Sequence, residues 1–179
     1  MDNGASSYRR FLDGDADAFD EIMQAYFDSL VFFIDRYVHD TAAAEDIAID
    51  VFAELIVHKH RYNFKASLKT YLFMLGRSRA LNLLRHRKVI EVVELSEAAA
   101  ADAAALEEQI LQDERRRAIN NAMSALPEDM RTAVHLVYFE ELSYTEAAKV
   151  MKCSKKRVDN LLYRAKNALR TTLKGAMDE

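Results

Sequence analysis

LSYTEAAKVMKCSKKRVDNLLYRAKNALRTTL, residues 142–173, is the stretch whose reading decides the fold. Ser143 and Glu146 stand in the S-x-x-E spacing of a capping box, which satisfies two amide donors at a helix start. A short helix follows, ending near Met151, and Lys152-Cys153 make a turn. Ser154 then caps a second helix that runs to about Leu173. Val158, Leu161, Leu162, Ala165 and Leu169 recur at helical spacing and face inward. Lys155, Lys156, Asp159, Asn160, Tyr163, Arg164, Asn167 and Arg170 are left for the outside. A short helix crossing a longer one with a Lys/Arg/Asn face is the helix-turn-helix design, which lays its second helix in the major groove. A solvated helix hairpin with a basic rim is the plainer alternative. Lys152 occupies the turn where glycine is usual; a left-handed backbone there costs a lysine roughly 1 kcal/mol.

Charge is strongly zoned. The whole chain has 179 residues and a net charge of −4, which looks wrong for a nucleic-acid binder until it is mapped. Residues 1–58 hold thirteen acids against Arg9, Arg10 and Arg36. Residues 59–88 hold nine bases and no acid, residues 91–114 eight acids and no base, and the last third is basic again. Two basic zones separated by acid predict two nucleic-acid contacts, with acidic surfaces left for other partners.

Four Gly and one Pro argue against a turn-rich β fold, and the long helical periodicities predict an all-α chain. The expected organisation is two small helical domains: 1–88, a linker at 89–105 that is acidic and Ala-rich, and 106–179 ending in the helix-turn-helix. One cysteine, Cys153, excludes an internal disulfide and fits a reducing compartment. The polar, acidic N-terminus and the lack of an apolar run near 20 residues predict a cytoplasmic protein with no membrane insertion.

Along the chain, a first helix is expected over 16–38, carrying Phe19, Ile22, Met23, Tyr26, Phe27, Leu30, Phe33 and Ile34. A second follows Asp40-Thr41 to about Val57 and buries Ile47, Ala48, Val51, Phe52, Leu55 and Ile56. Glu45, Asp46, Asp50 and Glu54 line its other side, with Ile49, Ala53 and Val57 among them. That face is either an ordinary solvated one or a docking face for a basic partner, since apolar residues rimmed by charge mark interfaces. The loop 60–66 and a helix over 68–87, capped by Ser67, interleave cations with Tyr62, Phe64, Tyr71 and Phe73. Rings accept unstacked bases while cations track phosphates, the pattern of single-strand binding; the alternative puts Tyr71 or Phe73 in the core. Gly76 inside this helix marks a close helix crossing. The linker, 17 residues long, reaches at most roughly 60 Å. That exceeds a DNA turn of about 34 Å. A further helix is expected over 106–126. Pro127-Glu128-Asp129 then open another, with Pro127 in its first turn.

Two segments carry a family resemblance. One is AAEDIAIDVF (43–52) continuing through YLFMLGRSRALNLLR (71–85); the other is ALPEDMRTAVHLVYFEELSYTEAAKVMKCSKKRVDNLLYRAKNAL (125–169). Together they resemble the extracytoplasmic-function group of bacterial RNA polymerase sigma factors, within the sigma-70 family. The resemblance implies a subunit that binds core RNA polymerase, melts and reads the minus-ten element with its first domain, and reads the minus-thirty-five element as duplex with its second. It implies polymerase docking through Glu45, Asp46, Ile49 and Asp50 on the clamp helices of the largest subunit, and a contact with the flap of the second largest. It implies minus-ten contacts from Arg61, Tyr62, Asn63, Phe64, Lys65, Lys69, Tyr71, Ser78 and Arg79. Minus-thirty-five contacts would come from Asp159, Asn160, Tyr163 and Arg164, with Lys155, Lys156 and Arg157 mostly on phosphates. An anti-sigma factor is a further expected partner. Ile49, Tyr71, Ser78 and Asp159 depart from residues common in the family, which bears on the promoter sequence read.

The main alternative is a helix-turn-helix regulator that binds an operator without joining polymerase, as a dimer. An enzyme is disfavoured: no His or second acid segment joins Glu45, Asp46, Asp50 and Glu54 at metal-ligand spacing, and no phosphate loop is present. No cofactor, no metal and no catalytic residue is expected.

Overall fold

The computed structural model describes residues 4–94 and 121–175, all of whose regular structure is helical. Helix α1 is Ala5–Leu12, α2 Asp17–Val38, α3 Thr41–Val57 and α4 Leu68–Glu94. After a helical turn at 121–124 come α5, Glu128–Val134, a π-helical turn, His135–Phe139, then α6, Tyr144–Met151, and α7, Lys155–Gly175.

Helices α2, α3 and α4 pack on one another around Ile22, Leu30, Phe33, Ile34, Val51, Phe52, Leu55, Leu68, Leu72 and Phe73. The expected stripe on α2 is the one that is buried or half-buried. The corner from α2 to α3 is made without glycine: His39 takes the left-handed conformation, and Asp40 caps α3 by accepting from the Ala43 amide at 3.1 Å. Gly76 does mark a close crossing. A methyl there would lie 2.9 Å from Leu30 Cδ1 and 3.2 Å from Ile34 Cδ1.

Helix α1 was no part of the sequence expectation. Eight residues are too few to show a period against a polar background, and its stability comes from docking. It places Tyr8 and Phe11 in the core, and the Tyr8 hydroxyl donates to the Lys59 carbonyl at 2.8 Å.

Two further expectations are corrected. Helix α4, expected to end at about Arg87, continues to Glu94, so residues 89–94 at the start of the expected linker are helical. Nothing there forbids helix: the segment has neither Gly nor Pro, and an established helix extends at little cost per residue. Linker residues 95–105 and expected helix residues 106–120 lie outside the described residues. Pro127 is the N-cap of α5 rather than a residue of its first turn, and its carbonyl accepts from Met130 and Arg131.

In the C-terminal half, α5 and α6 pack against α7 over Met130, Ala133, Val134, Leu136, Ala147, Val150, Val158, Leu161 and Leu162. Ala122, Met123 and Leu126 are buried as expected. Helix α4 packs directly on α6, so the two halves touch.

Candidate nucleic-acid interface

Capping decides the geometry of the α6–α7 unit. The Glu146 amide donates to Ser143 Oγ at 3.3 Å, and the Ser143 amide donates back to Glu146 Oε2 at 3.0 Å. Lys152 ends α6 with φ 52°, the left-handed turn expected of it. Ser154 Oγ then accepts from the Arg157 amide at 3.2 Å and starts α7. With Val158, Leu161, Leu162 and Ala165 buried, the helical period sends Lys155, Lys156, Asp159, Asn160, Tyr163 and Arg164 outward, and all six are exposed. Arg157 is exposed too, but its guanidinium pairs with Asp129 at 2.7 Å. The unit therefore presents a convex helix with donors and acceptors at its N-terminal half, the shape that fits a major groove.

The first basic zone is more tightly paired than its composition suggests. Arg79 bridges to Glu54 at 2.6 Å and to Asp50 at 3.2 Å, and Arg61 also pairs with Glu54. The Arg79 and Arg61 guanidinium groups together hold the Glu54 carboxyl below the usual glutamate range. Asn63 Oδ1 accepts from the Lys65 amide at 3.1 Å, and Phe64 turns the loop through φ 60°. Asn63 and Lys65 are exposed, whereas Phe64, Tyr71 and Ser78 are half-buried.

Tyr62 keeps only 3% of its surface. It donates to the Ala66 carbonyl at 2.6 Å, edge-packs on Tyr8 with ring centroids 5.2 Å apart and lies the same distance from Tyr71. In this arrangement its ring offers no free face to a base. Phe73 is core, as the plainer alternative had it. Lys69 is held by Glu140: its ammonium lies 2.9 Å from Oε2 and donates to the carbonyl at 2.7 Å.

On α3, Glu45, Asp46, Ile49, Asp50, Ala53 and Val57 form an exposed face, with Val57 71% exposed. Ile56 was expected in the buried stripe and is instead exposed beside Val57, because Leu55 takes the inward position at the end of the helix. The apolar part of this face is thus larger than expected. It continues into an open groove lined by Ile56, Val57, His58, Lys59 and Arg61.

Tyr8 and Glu140 were missed from sequence. Tyr8 supports the loop, its own hydroxyl pushed up to about 12 mainly by burial. Glu140 reads as one acid of an exposed Glu-Glu pair until the fold buries it. Among the described residues no three His, Cys, Asp or Glu side chains gather as a metal site, and no helix is long and apolar enough to cross a membrane.

An all-α fold with an exposed basic helix-turn-helix, a second cationic zone and an exposed acid-and-apolar face on α3 defines a DNA-binding transcription factor. The chain belongs to the sigma-70 family of RNA polymerase sigma factors, in its extracytoplasmic-function group, and directs promoter recognition by polymerase. "Sigma-70 region 2" matches residues 22–89 and "Sigma-70, region 4" residues 116–169. The RNA polymerase sigma-H factor of Pseudomonas aeruginosa is 31% identical over 176 residues, covering 93% of this chain and 91% of its own. The ECF RNA polymerase sigma factor SigM of Bacillus subtilis is 28% identical over 161 residues, covering 89% and 98%. The sigma factor RpoE of Bartonella quintana, solved in complex with the anti-sigma factor NepR, shares the fold with TM-score 0.66 and 23% identity, over 87% of this chain and 96% of that one. CnrH, solved with the cytosolic domain of CnrY, shares it with TM-score 0.64 and 18% identity, over 97% and 96%. Sigma factors act by binding and are not enzymes.

Proposed function

We propose that this sigma factor divides its work between its two ends. Glu45, Asp46, Ile49 and Asp50 dock on the clamp helices of the largest polymerase subunit, and the C-terminal half meets the flap of the second largest. Arg61, Asn63, Phe64, Lys65, Lys69, Tyr71, Ser78 and Arg79 serve the melted minus-ten element, and Tyr62 serves it from beneath by holding the loop rather than by offering its ring to a base. Asp159, Asn160, Tyr163 and Arg164 face the minus-thirty-five bases, and Lys155, Lys156 and Arg157 face phosphates. The units are 1–88 and 106–179, with 89–105 between them, and the protein works in the cytoplasm beside polymerase. An anti-sigma factor restrains it, a reading supported by the anti-sigma partner of the Bartonella quintana relative.

The observation that carries the reading is the exposed face of α3, where Ile49, Ala53, Ile56 and Val57 are rimmed by Glu45, Asp46 and Asp50. A solvated helix face has no need of four apolar residues, whereas a docking face does. Run-off transcription from a random promoter library tests it. Addition of the protein to core polymerase is expected to select a defined promoter set, and the Glu45→Ala/Asp46→Ala variant to lose that selection. Transcription unchanged by the protein would sink the reading. Tight operator binding without polymerase would favour an independent regulator instead.

A further inference from the structure

Glu54 stands where helix α3, helix α4 and the loop 60–66 meet. It lies one turn after Asp50, next to the exposed Ala53, and its side chain keeps 13% of its surface. Glu54 Oε1 accepts from Arg61, near the start of the loop, and Oε2 accepts from Arg79 Nη2 of α4 at 2.6 Å. Arg79 Nη1 donates to Asp50 Oδ2 at 3.2 Å. The Arg61 amide donates to the His58 carbonyl at 2.9 Å, so backbone and side chain both fix the loop's entry. Tyr71 faces the same carboxylate: burial pushes its hydroxyl up first, the Glu54 charge adds to that, and Arg61 opposes it.

Donor use separates the two arginines. Arg79 commits both Nη atoms to carboxylates and keeps 34% of its side-chain surface. Arg61 commits one and keeps 65%, with its remaining donors unspent. A phosphate reaches Arg79 only in competition with two carboxylates, whereas Arg61 can stay on Glu54 and still donate to a nucleotide. By charge alone Glu54 is a liability, since it cancels cations in a surface that meets a polyanion. What it supplies is position: charge-assisted bonds to a nearly buried carboxylate are directional, and the carboxylate is stable there only with its partners in place.

We propose that Glu54 is a positioning residue for promoter melting: through Arg61 it sets the loop that receives the unstacked bases, with Arg79 as its anchor on α4 rather than a phosphate contact. This rests on the assignment of the loop to the minus-ten surface. Two supports meet there. Tyr62 holds the loop from beneath, through the Ala66 carbonyl and the Tyr8 ring, and Glu54 holds its flank through Arg61. Between them the loop carries the exposed Asn63 and Lys65 and the half-buried Phe64. A loop already ordered loses less freedom when a strand binds, so both supports favour the melted state.

The test uses holoenzyme assembled from the full chain and an excess of core polymerase, on a promoter duplex taken from the random-library selection. A fluorescent adenine analogue in the minus-ten non-template strand reads melting. Glu54→Gln keeps the shape of the side chain and frees both arginines. If Glu54 only cancelled charge, this variant would melt the promoter better; positioning predicts the opposite, opening about tenfold less favourable. Glu54→Gln/Arg61→Gln should lose no more than the worse single variant, since one residue acts through the other. On the isolated non-template strand, Arg61→Gln should lower the salt slope of holoenzyme binding by about 0.7, and Arg79→Gln should leave that slope unchanged while still impairing melting. A duplex bearing only the minus-thirty-five element reads whether each variant remains folded. Melting by Glu54→Gln equal to or above wild type overturns the assignment, as do additive losses in the double variant or loss of minus-thirty-five binding along with melting. A lower slope in Arg79→Gln overturns the anchor. A wild-type holoenzyme that selects no promoter is a separate result, and sinks the sigma reading itself.

Discussion

Lys152 bears a side chain where the backbone is left-handed, φ 52°, and the sequence alone marks it as the awkward residue of the turn. Lys152→Gly is expected to stabilise the fold by about 0.5–1 kcal/mol, read as a raised urea midpoint at constant slope. Gly76 is the opposite case, because its missing side chain is what lets α4 lie on α2. Gly76→Ala should cost about 1–3 kcal/mol net of its better helix propensity, since Leu30 and Ile34 must give way in a packed core. Both positions were legible because glycine, or its absence, leaves a local trace. The left-handed turns at Phe64, φ 60°, and Glu141, φ 55°, were not, because nothing in those side chains announces the angle.

Helix α7 separates two kinds of contact on one element. Lys156→Ala should weaken binding to every duplex alike and lower the salt slope by about 1, measured by anisotropy of polymerase-bound protein on promoter duplexes. Asn160→Ala should instead cost about 1–3 kcal/mol on the preferred minus-thirty-five sequence and relax the choice of base, read by selection from a randomised duplex. Equal losses on all sequences would remove Asn160 from the base-reading set. The helix-turn-helix itself was readable nearly residue by residue: caps, turn and inward stripe are local codes. Helix α1 and the extension of α4 to Glu94 were not, since short or polar segments become helical through docking or continuation. Exposure of Ile56 shows the same limit at a helix end, where a stripe no longer says which residue is last to be covered.

Across the whole molecule, carboxylates tie helices together. Paired arginines hold Glu54 low; Glu140 and Glu146 are pushed up by burial, but their partners outweigh that and leave both below the ordinary value of 4.5. A group depressed in the folded state contributes stability that is fully present above its unfolded value and is lost as pH falls through the folded one. Urea unfolding is therefore expected to show stability falling as pH drops below about 4.5, with a shallower fall in Glu146→Gln. An identical acid profile in that variant would remove Glu146 from the linkage. What the sequence by itself determined about this protein is its all-helical class, its recognition helix and its two cationic zones, because each is written in spacing, capping and charge along the chain, and, through the resemblance of two segments, its family. What only the tertiary structure decided is which side chains of those zones are engaged elsewhere: Arg79 bound to Glu54, Tyr62 under Tyr8, Lys69 against Glu140. Such pairings join residues far apart in the chain, and local pattern carries no record of a partner that only folding brings near.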